Sequence, residues 1–154
     1  MAETRIVLQF CEATDCGDIA TYVQRDGFQA LNKARVMGPE AVIAEIKGSG
    51  LKGRGGAGFP CGAKWDLARS ACGDEKFVIC NADEGEVGTF KDRYIIQHDP
   101  FSLIEGIGIA AHAIGAQKAY IYLRGEYHYL LDGLKGAIDQ ATSKGLLGLP
   151  IEIR

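Results

Sequence analysis

Seven of the chain's 21 glycines fall within fifteen residues, 48–62, which read GSGLKGRGGAGFPCG. Glycine buries no side chain and loses more conformational entropy on folding than any other residue, so packing does not explain so dense a run. Its backbone can, however, adopt positive φ and bring N–H groups against a charged or flat ligand. Lys52, Arg54 and Lys64 add positive charge around the run. The segment therefore predicts a binding loop for a nucleotide-like ligand.

A second polar segment, NADEGEVGTFKDR, follows an apolar run that is typical of a buried strand. It carries four acids, Asp83, Glu84, Glu86 and Asp92, a cluster that is equally consistent with a solvated surface. In a parallel sheet, however, ligands bind beyond the carboxyl ends of the strands, where this segment would lie. There Asn81 suits a heteroaromatic edge, and carboxylates suit ribose hydroxyls. Carboxylates beside a ribose would also repel a further phosphate, which favours NAD over NADP.

Two familiar phosphate-binding motifs lack their usual context here. The Walker loop requires Gly-Lys followed by Ser or Thr, whereas Lys64 is followed by Trp65. The dinucleotide fingerprint GxGxxG is present as Gly53, Gly55 and Gly58, but the residues before it predict a helix and not a strand. On this pattern alone, a structural glycine turn and a binding loop are equally supported.

The remaining sequence must supply the elements that position these two segments. We predict a short strand in IVLQF, helices over 18–36 (broken at Gly27), from Pro39 and in AKWDLARSA, a strand in KFVICN, a helix from Asp99 to Ala116, a strand in KAYIYLRG, a helix from Tyr127 to Lys144 and a strand in LPIEIR. Such alternation indicates parallel strands joined by right-handed crossovers. The predicted fold class is α/β, with an amino-terminal helical segment (1–48) followed by a Rossmann-like parallel-sheet domain (49–154).

Composition excludes several classes of function. The 154 residues are 47% hydrophobic and 24% charged, with a net charge of −3, so a globular domain is expected and a nucleic-acid partner is not. No apolar run could span a bilayer, and the first residues lack a signal-peptide pattern, which predicts a cytoplasmic location without membrane insertion.

Cysteine and histidine spacing predicts no metal site. Cys11 and Cys16 supply only two of the four ligands that an iron–sulfur cluster requires, so we expect reduced thiols. Cys61, which lies near the end of the glycine run, is the thiol expected near a ligand. The three histidines match no ligand spacing: His98, His112 and His128.

The two motifs GRGGAGFPCGAKW and ICNADEGEVGTFKDRY, in this order, resemble the FMN-binding, NADH-oxidising flavoprotein subunit of respiratory complex I and its relatives in NAD-linked hydrogenases and formate dehydrogenases. The resemblance extends over almost the whole chain, from IVLQFC to YIYLRGEYHYLL. It implies that residues 49–154 bind FMN and NADH. It also implies an oxidoreductase in which hydride passes from NADH to FMN and electrons leave singly to iron–sulfur clusters. Because the flavin supplies this chemistry, no side chain is assigned as catalytic.

The resemblance also implies which residues bind the cofactors. In the glycine loop they are Gly53, Arg54, Gly55, Gly56, Ala57, Gly58 and Phe59, with the ring of Phe59 available to stack on adenine. The implied FMN pocket further includes Lys64, Asn81, Asp83 and Glu84. Glu86 is implied to contact the nucleotide and to select against NADPH, whereas Trp65 is expected to pack. The chain departs from the family pattern at Cys61, Leu67 and Val87.

In the family, the strand at IEIR leads into a second segment that completes the FMN pocket and then into a domain that holds a [4Fe–4S] cluster. We therefore expect these 154 residues, as a truncated domain, to hold FMN poorly. The implied partners are NADH, a thioredoxin-like [2Fe–2S] subunit and other subunits of a redox complex on the inner face of a membrane. Two alternatives remain: a non-catalytic truncated or split module that docks on a redox complex, and a kinase-like phosphate binder, against which the missing Gly-Lys-Ser/Thr pattern counts.

Overall fold

A computed structural model describes residues 6–11 and 17–154 of the chain. The described elements are α1 (Ile19–Gln24), α2 (Gln29–Met37), α3 (Pro39–Gly48), α4 (Cys61–Ser70), β1 (Phe77–Ala82), α5 (Lys91–His98), α6 (Pro100–Ile114), β2 (Lys118–Leu123), a 3-10 helix (Gly125–Leu130), α7 (Leu131–Ser143) and β3 (Ile151–Ile153). Helices therefore dominate the part before β1, and strands and helices alternate after it.

The three strands form one sheet in the order β1-β2-β3, and both pairs are parallel. Phe77 is paired with Lys118 at one end of the first pair, and Ala82 with Leu123 at the other. The predicted α/β class is confirmed. Because all three strands run the same way, the segments that leave β1 and β2 lie side by side at one edge, where Arg124 N donates to Ala82 O at 3.3 Å.

Helices α6 and α7 cover one face of this sheet. Ala119 and Ile121 of β2 are fully buried in a core that also contains Ile104 of α6 and Leu134 of α7. Both crossovers lie on this face, as right-handed connections between parallel strands in the order β1-β2-β3 would require. The sheet therefore has one well-packed face.

Helix α6 begins and ends where its sequence predicts. The Asp99 side chain accepts from Ser102 N at 3.1 Å, and Pro100 occupies the first helical turn, where its missing N–H has no cost. Gly115 ends the helix in the left-handed conformation, with φ of 76°. These signals set the length of the helix that links β1 to β2.

A buried carboxylate joins the amino-terminal helices to α6. Glu105 Oε2 accepts from the Tyr22 hydroxyl at 2.7 Å and from Phe28 N at 2.8 Å, and Oε1 accepts from Leu31 N at 2.9 Å. No side chain of its own segment caps the first turn of α2. A glutamate from another helix accepts the hydrogen bonds of its free backbone N–H groups instead. Phe28 and Leu31 share their core with the sheet, and the domain boundary after residue 48 stays a prediction.

The structure corrects two of the predicted elements and adds a third that was not predicted. The strand predicted in IVLQF is wrong, because residues 6–11 form turns and bends. Phe10 packs on Tyr22, with 5.4 Å between the centres of the two rings, instead of pairing with a strand. Helix α5 was not predicted. The helix predicted from Tyr127 begins at Leu131, after a 3-10 turn. The two helices within 18–36 are confirmed.

The amino-terminal cysteine pair is described only in part. Cys11 is buried, and Cys16 lies outside the described residues. Among residues 6–11 and 17–154, no group of three or more histidine, cysteine or acidic side chains is arranged to hold a metal ion. None of the helices in these ranges combines the length and apolarity needed to cross a bilayer.

Replacing Glu105 by glutamine should destabilise the fold. Glutamine retains one acceptor oxygen, and its amide NH2 would face a buried donor, so we expect the free energy of unfolding to fall by roughly 2–3 kcal/mol. Urea denaturation measures this loss. The matched control is Glu45→Gln, which removes an exposed ion pair to Lys33 at 3.1 Å and should cost no more than about 1 kcal/mol. Equal losses in the two variants would contradict the capping role of Glu105.

Candidate functional site

The glycine run forms a loop that connects α3 directly to α4. An antiparallel bridge between Lys52 and Pro60 closes it, with Gly53 N donating to Phe59 O at 2.9 Å and Cys61 N donating to Leu51 O at 2.8 Å. Within the loop, all residues from 53 to 59 except the partly exposed Gly58 are exposed. As predicted, the loop follows a helix and not a strand.

Four glycines of this run are required by the chain itself, and the first of them, Gly50, follows α3 with a φ of 68°. Gly56 and Gly58 have φ of 108° and 63°, a backbone conformation that side chains disfavour. Gly62, in the first turn of α4, is required by packing and not by backbone conformation, because a Cβ there would lie 2.6 Å from Lys47 N of α3. Glycine at 62 thus allows α4 to pack closely on α3, which places the end of the loop.

Gly53 and Gly55 have neither reason to be glycine. Their φ angles are not positive, and a Cβ on Gly55 would meet nothing within 4 Å. A Cβ on Gly53 would meet only the Phe59 backbone, with its nearest atom at 3.6 Å, which is ordinary contact. The open space beside these residues is what a closely approaching ligand requires, and a flat or phosphate-bearing cofactor fits it.

Cationic and aromatic side chains surround the loop. Lys52, Arg54 and Lys64 are exposed, and the ring of Phe59 is 51% exposed. Burial raises the pKa of the Cys61 thiol, although Lys64 opposes this effect. The loop therefore offers positive charge, free backbone and an exposed ring on one surface. Behind it, the residue expected to pack does so: Trp65 lies on the small core of α3 and α6.

The second predicted segment leaves β1 at the carboxyl edge of the sheet in a series of turns. Asn81 Oδ1 accepts from Asp83 N at 3.0 Å, and Asp83 O accepts from Gly85 N at 3.0 Å. The Thr89 hydroxyl donates to Glu86 O at 2.6 Å. These bonds leave the side chains of Asn81, Asp83 and Glu86 exposed at the strand end, where the sequence predicted a ligand.

Glu84, by contrast, is buried, with 5% of its surface exposed. Its Oε1 accepts from Asp92 N at 2.8 Å, and its Oε2 accepts from Arg93 N at 3.4 Å and from the Tyr127 hydroxyl at 3.0 Å. Asp92 and Arg93 lie in the first turn of α5, which has no local side-chain cap. Glu84 therefore caps α5 from outside the helix, and this short helix was missed by the sequence analysis.

The hydrogen bonds to Glu84 decide its protonation. Burial raises the pKa of this carboxyl, but the Asp92 N–H, the Tyr127 hydroxyl and the Arg93 N–H together hold it below its ordinary value of 4.5. Burial and the bond to Glu84 both raise the pKa of Tyr127. At neutral pH the pair is therefore a carboxylate that accepts from a protonated phenol.

A cavity of about 380 Å³ opens beside this capping carboxylate, and its described lining consists of residues 84–89, Arg93, Arg124, Glu126 and Tyr127. Of the predicted binding residues it contains Glu84 and Glu86, and no residue of the loop 53–59 lines it. Arg93, Arg124 and Tyr127 were not predicted. Arg124 directly follows β2, the neighbour of β1. A prediction that these two strands pair would have placed Arg124 beside the segment that leaves β1.

The predicted residues thus form two groups. The first is the glycine loop with Lys64 at the start of α4, and the second is the group Asn81, Asp83, Glu84 and Glu86 at the end of β1. The contacts of these residues with a ligand stay a prediction.

The low pKa of Glu84 predicts an acid-sensitive contribution to stability. Since the folded pKa lies below the ordinary 4.5, the unfolded chain takes up the proton more readily, and the stabilisation is complete above that value and lost as the pH falls through the folded pKa. Between about pH 7 and pH 3 the free energy of unfolding should fall more in the wild type than in Glu84→Gln. Urea denaturation at both pH values measures the difference. Glu86→Gln, a change in the exposed glutamate of the same loop, should behave as the wild type, and an identical loss in all three proteins would contradict the role given to Glu84.

Comparisons with known proteins identify the family of the chain. The family model of the Nuo51 FMN-binding domain (Complex1_51K) matches residues 46–154. A component of the NADH-quinone oxidoreductase of Rhizobium meliloti is 45% identical over 149 residues, which are 95% of this chain and 35% of that protein. The corresponding component of the NADH-quinone oxidoreductase of Aquifex aeolicus is 55% identical over 130 residues, 84% of this chain and 30% of that protein. The chain thus spans about a third of the length of these relatives.

Solved structures show the same fold. A chain in the crystal structure of an NAD+-reducing [NiFe]-hydrogenase in the air-oxidized state superposes with a TM-score of 0.77 at 38% identity, over 99% of this chain and 24% of that one. FMN stands in the description of the family, and NADH or NAD+ in the names of these relatives, as the sequence predicted. Because the family model matches most of this chain, the chain belongs to the Nuo51 FMN-binding domain family.

Proposed function

We propose that this chain carries one side of the FMN and NADH site of an NADH-oxidising flavoprotein subunit. The observation that carries the proposal is the pair Gly53 and Gly55, where neither positive φ nor packing requires glycine. In an exposed loop that carries cationic side chains, space kept free beside the backbone suits a ligand that approaches the chain closely. Membership of an FMN-binding family supplies the identity of that ligand.

The residues around the glycine loop fit a flavin mononucleotide with a nicotinamide dinucleotide. Residues 54–58 offer backbone N–H groups, and Arg54 and Lys64 supply positive charge for phosphates. The exposed ring of Phe59 offers a surface for adenine, since aromatic faces stack readily on bases. These assignments agree with the exposure of each group in the structure.

The strand-end residues complete this side of the site. Asn81 and Asp83 are exposed at the carboxyl edge of the sheet, where parallel sheets bind their ligands. Exposed Glu86 suits a ribose hydroxyl and would repel a 2′-phosphate, which favours NADH over NADPH. Bound FMN would accept hydride from NADH and pass electrons on singly, and the chain's own part is to bind, orient and shield.

Names of the relatives suggest the setting of this reaction. They are subunits of NADH-quinone oxidoreductases, and the structural neighbour belongs to an NAD+-reducing hydrogenase. We accordingly propose NADH, a thioredoxin-like [2Fe–2S] subunit and other subunits of a redox complex as partners, in a cytoplasmic and peripheral location. Transfer onward through iron–sulfur clusters is proposed by analogy with these relatives, about a third of whose length this chain spans.

Titration of the chain with FMN tests the proposal directly. Binding should quench flavin fluorescence, and addition of NADH without oxygen should bleach the visible flavin bands of the complex. Because we expect these 154 residues to hold FMN poorly, the titration extends to FMN in large excess. Failure to bind FMN even there would count against the proposal and would favour the alternative of a non-catalytic module that docks on a redox complex. Binding of FMN without bleaching by NADH would restrict the proposed function of the chain to flavin binding.

Gly55→Ala should separate binding from folding. Its methyl group would meet no atom of the chain within 4 Å, so the free energy of unfolding should change by less than about 0.5 kcal/mol. The same methyl group would occupy the ligand's space, and we expect the Kd for FMN to rise about tenfold, which corresponds to about 1.4 kcal/mol. Fluorescence titration measures this change.

The control is Gly133→Ala, on the exposed surface of α7, where a Cβ likewise meets nothing within 4 Å. It should leave the Kd for FMN unchanged. An unchanged Kd in Gly55→Ala would contradict the assignment of the loop.

A further inference from the structure

Three chain segments converge on Glu84 at the carboxyl edge of the sheet. Its own segment leaves β1, the two N–H groups it accepts from begin α5, and the Tyr127 hydroxyl comes from the 3-10 helix after β2. Arg124, at the end of β2, donates to the Glu84 carbonyl oxygen and, through Nη2, to Glu126 Oε1 at 2.8 Å. The segment between β1 and α5 is thus tied to the neighbouring strand by two side chains.

Tyr127 is held more firmly than a single hydrogen bond would require. It is 6% exposed, and the guanidinium groups of Arg93 and Arg124 lie 5.8 and 5.9 Å from the centre of its ring. Both distances are within the range of cation–π attraction. The phenol hydroxyl therefore reaches Glu84 from a ring whose position is already set by α5 and β2.

Both carboxylate oxygens of Glu84 accept hydrogen bonds from the chain itself, one from Asp92 N and the other from Arg93 N and Tyr127. A ligand would have to displace these donors to be bound by this carboxylate, and a buried donor left unpaired is costly. The neighbouring Asp83 and Glu86 are exposed and free of such a cost. Any effect of Glu84 on binding therefore passes through the conformation of its segment.

We propose that Tyr127 is a positioning residue that acts through Glu84 to hold residues 83–89 in the conformation that binds the nucleotide. This inference rests on the proposed function, because it takes Asp83 and Glu86 as residues that meet the ligand. Loss of the phenol hydroxyl leaves Oε2 of Glu84 with the longer bond to Arg93 N alone. The segment then gains freedom, and ligand binding must supply the order that the free chain has lost.

The molecule contains a matched control for this proposal. Tyr22 donates to buried Glu105, which caps α2, in the same arrangement of phenol, carboxylate and helix start. That pair connects α1, α2 and α6 and includes no residue of the segment 83–89. A loss of binding that follows from general destabilisation should appear in Tyr22→Phe as readily as in Tyr127→Phe.

The experiment compares Tyr127→Phe, Tyr22→Phe and Tyr129→Phe, the last on a nearby tyrosine whose surface is 62% exposed. Urea denaturation and fluorescence titration with FMN are measured for each variant and for the wild type. We expect both buried variants to lose stability, only Tyr127→Phe to raise the Kd for FMN, by about fivefold or more, and Tyr129→Phe to change neither. A rise in Kd of equal size in Tyr22→Phe and Tyr127→Phe, or no rise in Tyr127→Phe, would overturn the proposal.

Amide hydrogen exchange provides a second measurement that needs no ligand. In Tyr127→Phe, exchange at residues 85–93 should accelerate while residues 28–32 stay protected, and Tyr22→Phe should show the reverse. If the wild type binds no FMN, the proposed function fails for this chain, and exchange alone then decides the positioning role. Unchanged exchange at residues 85–93 in Tyr127→Phe would overturn it.

Discussion

The carboxylate of Glu84 is the point on which the geometry of the strand-end segment depends. A buried charge is tolerated only when hydrogen bonds replace the water it has lost, and Glu84 finds its donors on α5 and on Tyr127. The same device occurs a second time, where Glu105 caps α2 and accepts from the Tyr22 hydroxyl. Two helices without a local cap thus each depend on a glutamate from elsewhere in the fold, which couples their formation to tertiary packing.

In the glycine loop, the individual glycines have different structural roles. Gly56 and Gly58 permit positive φ, Gly62 permits close helix packing, and Gly53 and Gly55 keep space free. The sequence shows these five residues as equivalent letters. Only coordinates separate the glycines that the fold requires from those left for a ligand, and that separation is what makes the loop a candidate site as well as a turn.

Hydrophobic periodicity and the residues that mark helix ends were enough to predict most elements, the α/β class and the two candidate segments, because those signals are local. Pro39, Asp99 and Gly115 mark helix ends within a few residues of the elements they bound. Helix α5 was not predicted: it is only eight residues long, and no side chain of its own segment caps it. The apolar run IVLQF was misassigned because a strand needs a partner, and Phe10 packs on Tyr22 instead.

Residue types and their spacing establish the chemistry that is available to this chain: glycines without side chains, cations beside them, and acids after a buried strand. Which of these groups are exposed depends on the folding of distant segments against one another. Glu84 and Glu86 are close in sequence and chemically identical, yet one is buried in a helix cap and the other is exposed. The difference arises because hydrogen-bond donors from distant segments reach one carboxylate and not the other, and no local pattern encodes that contact.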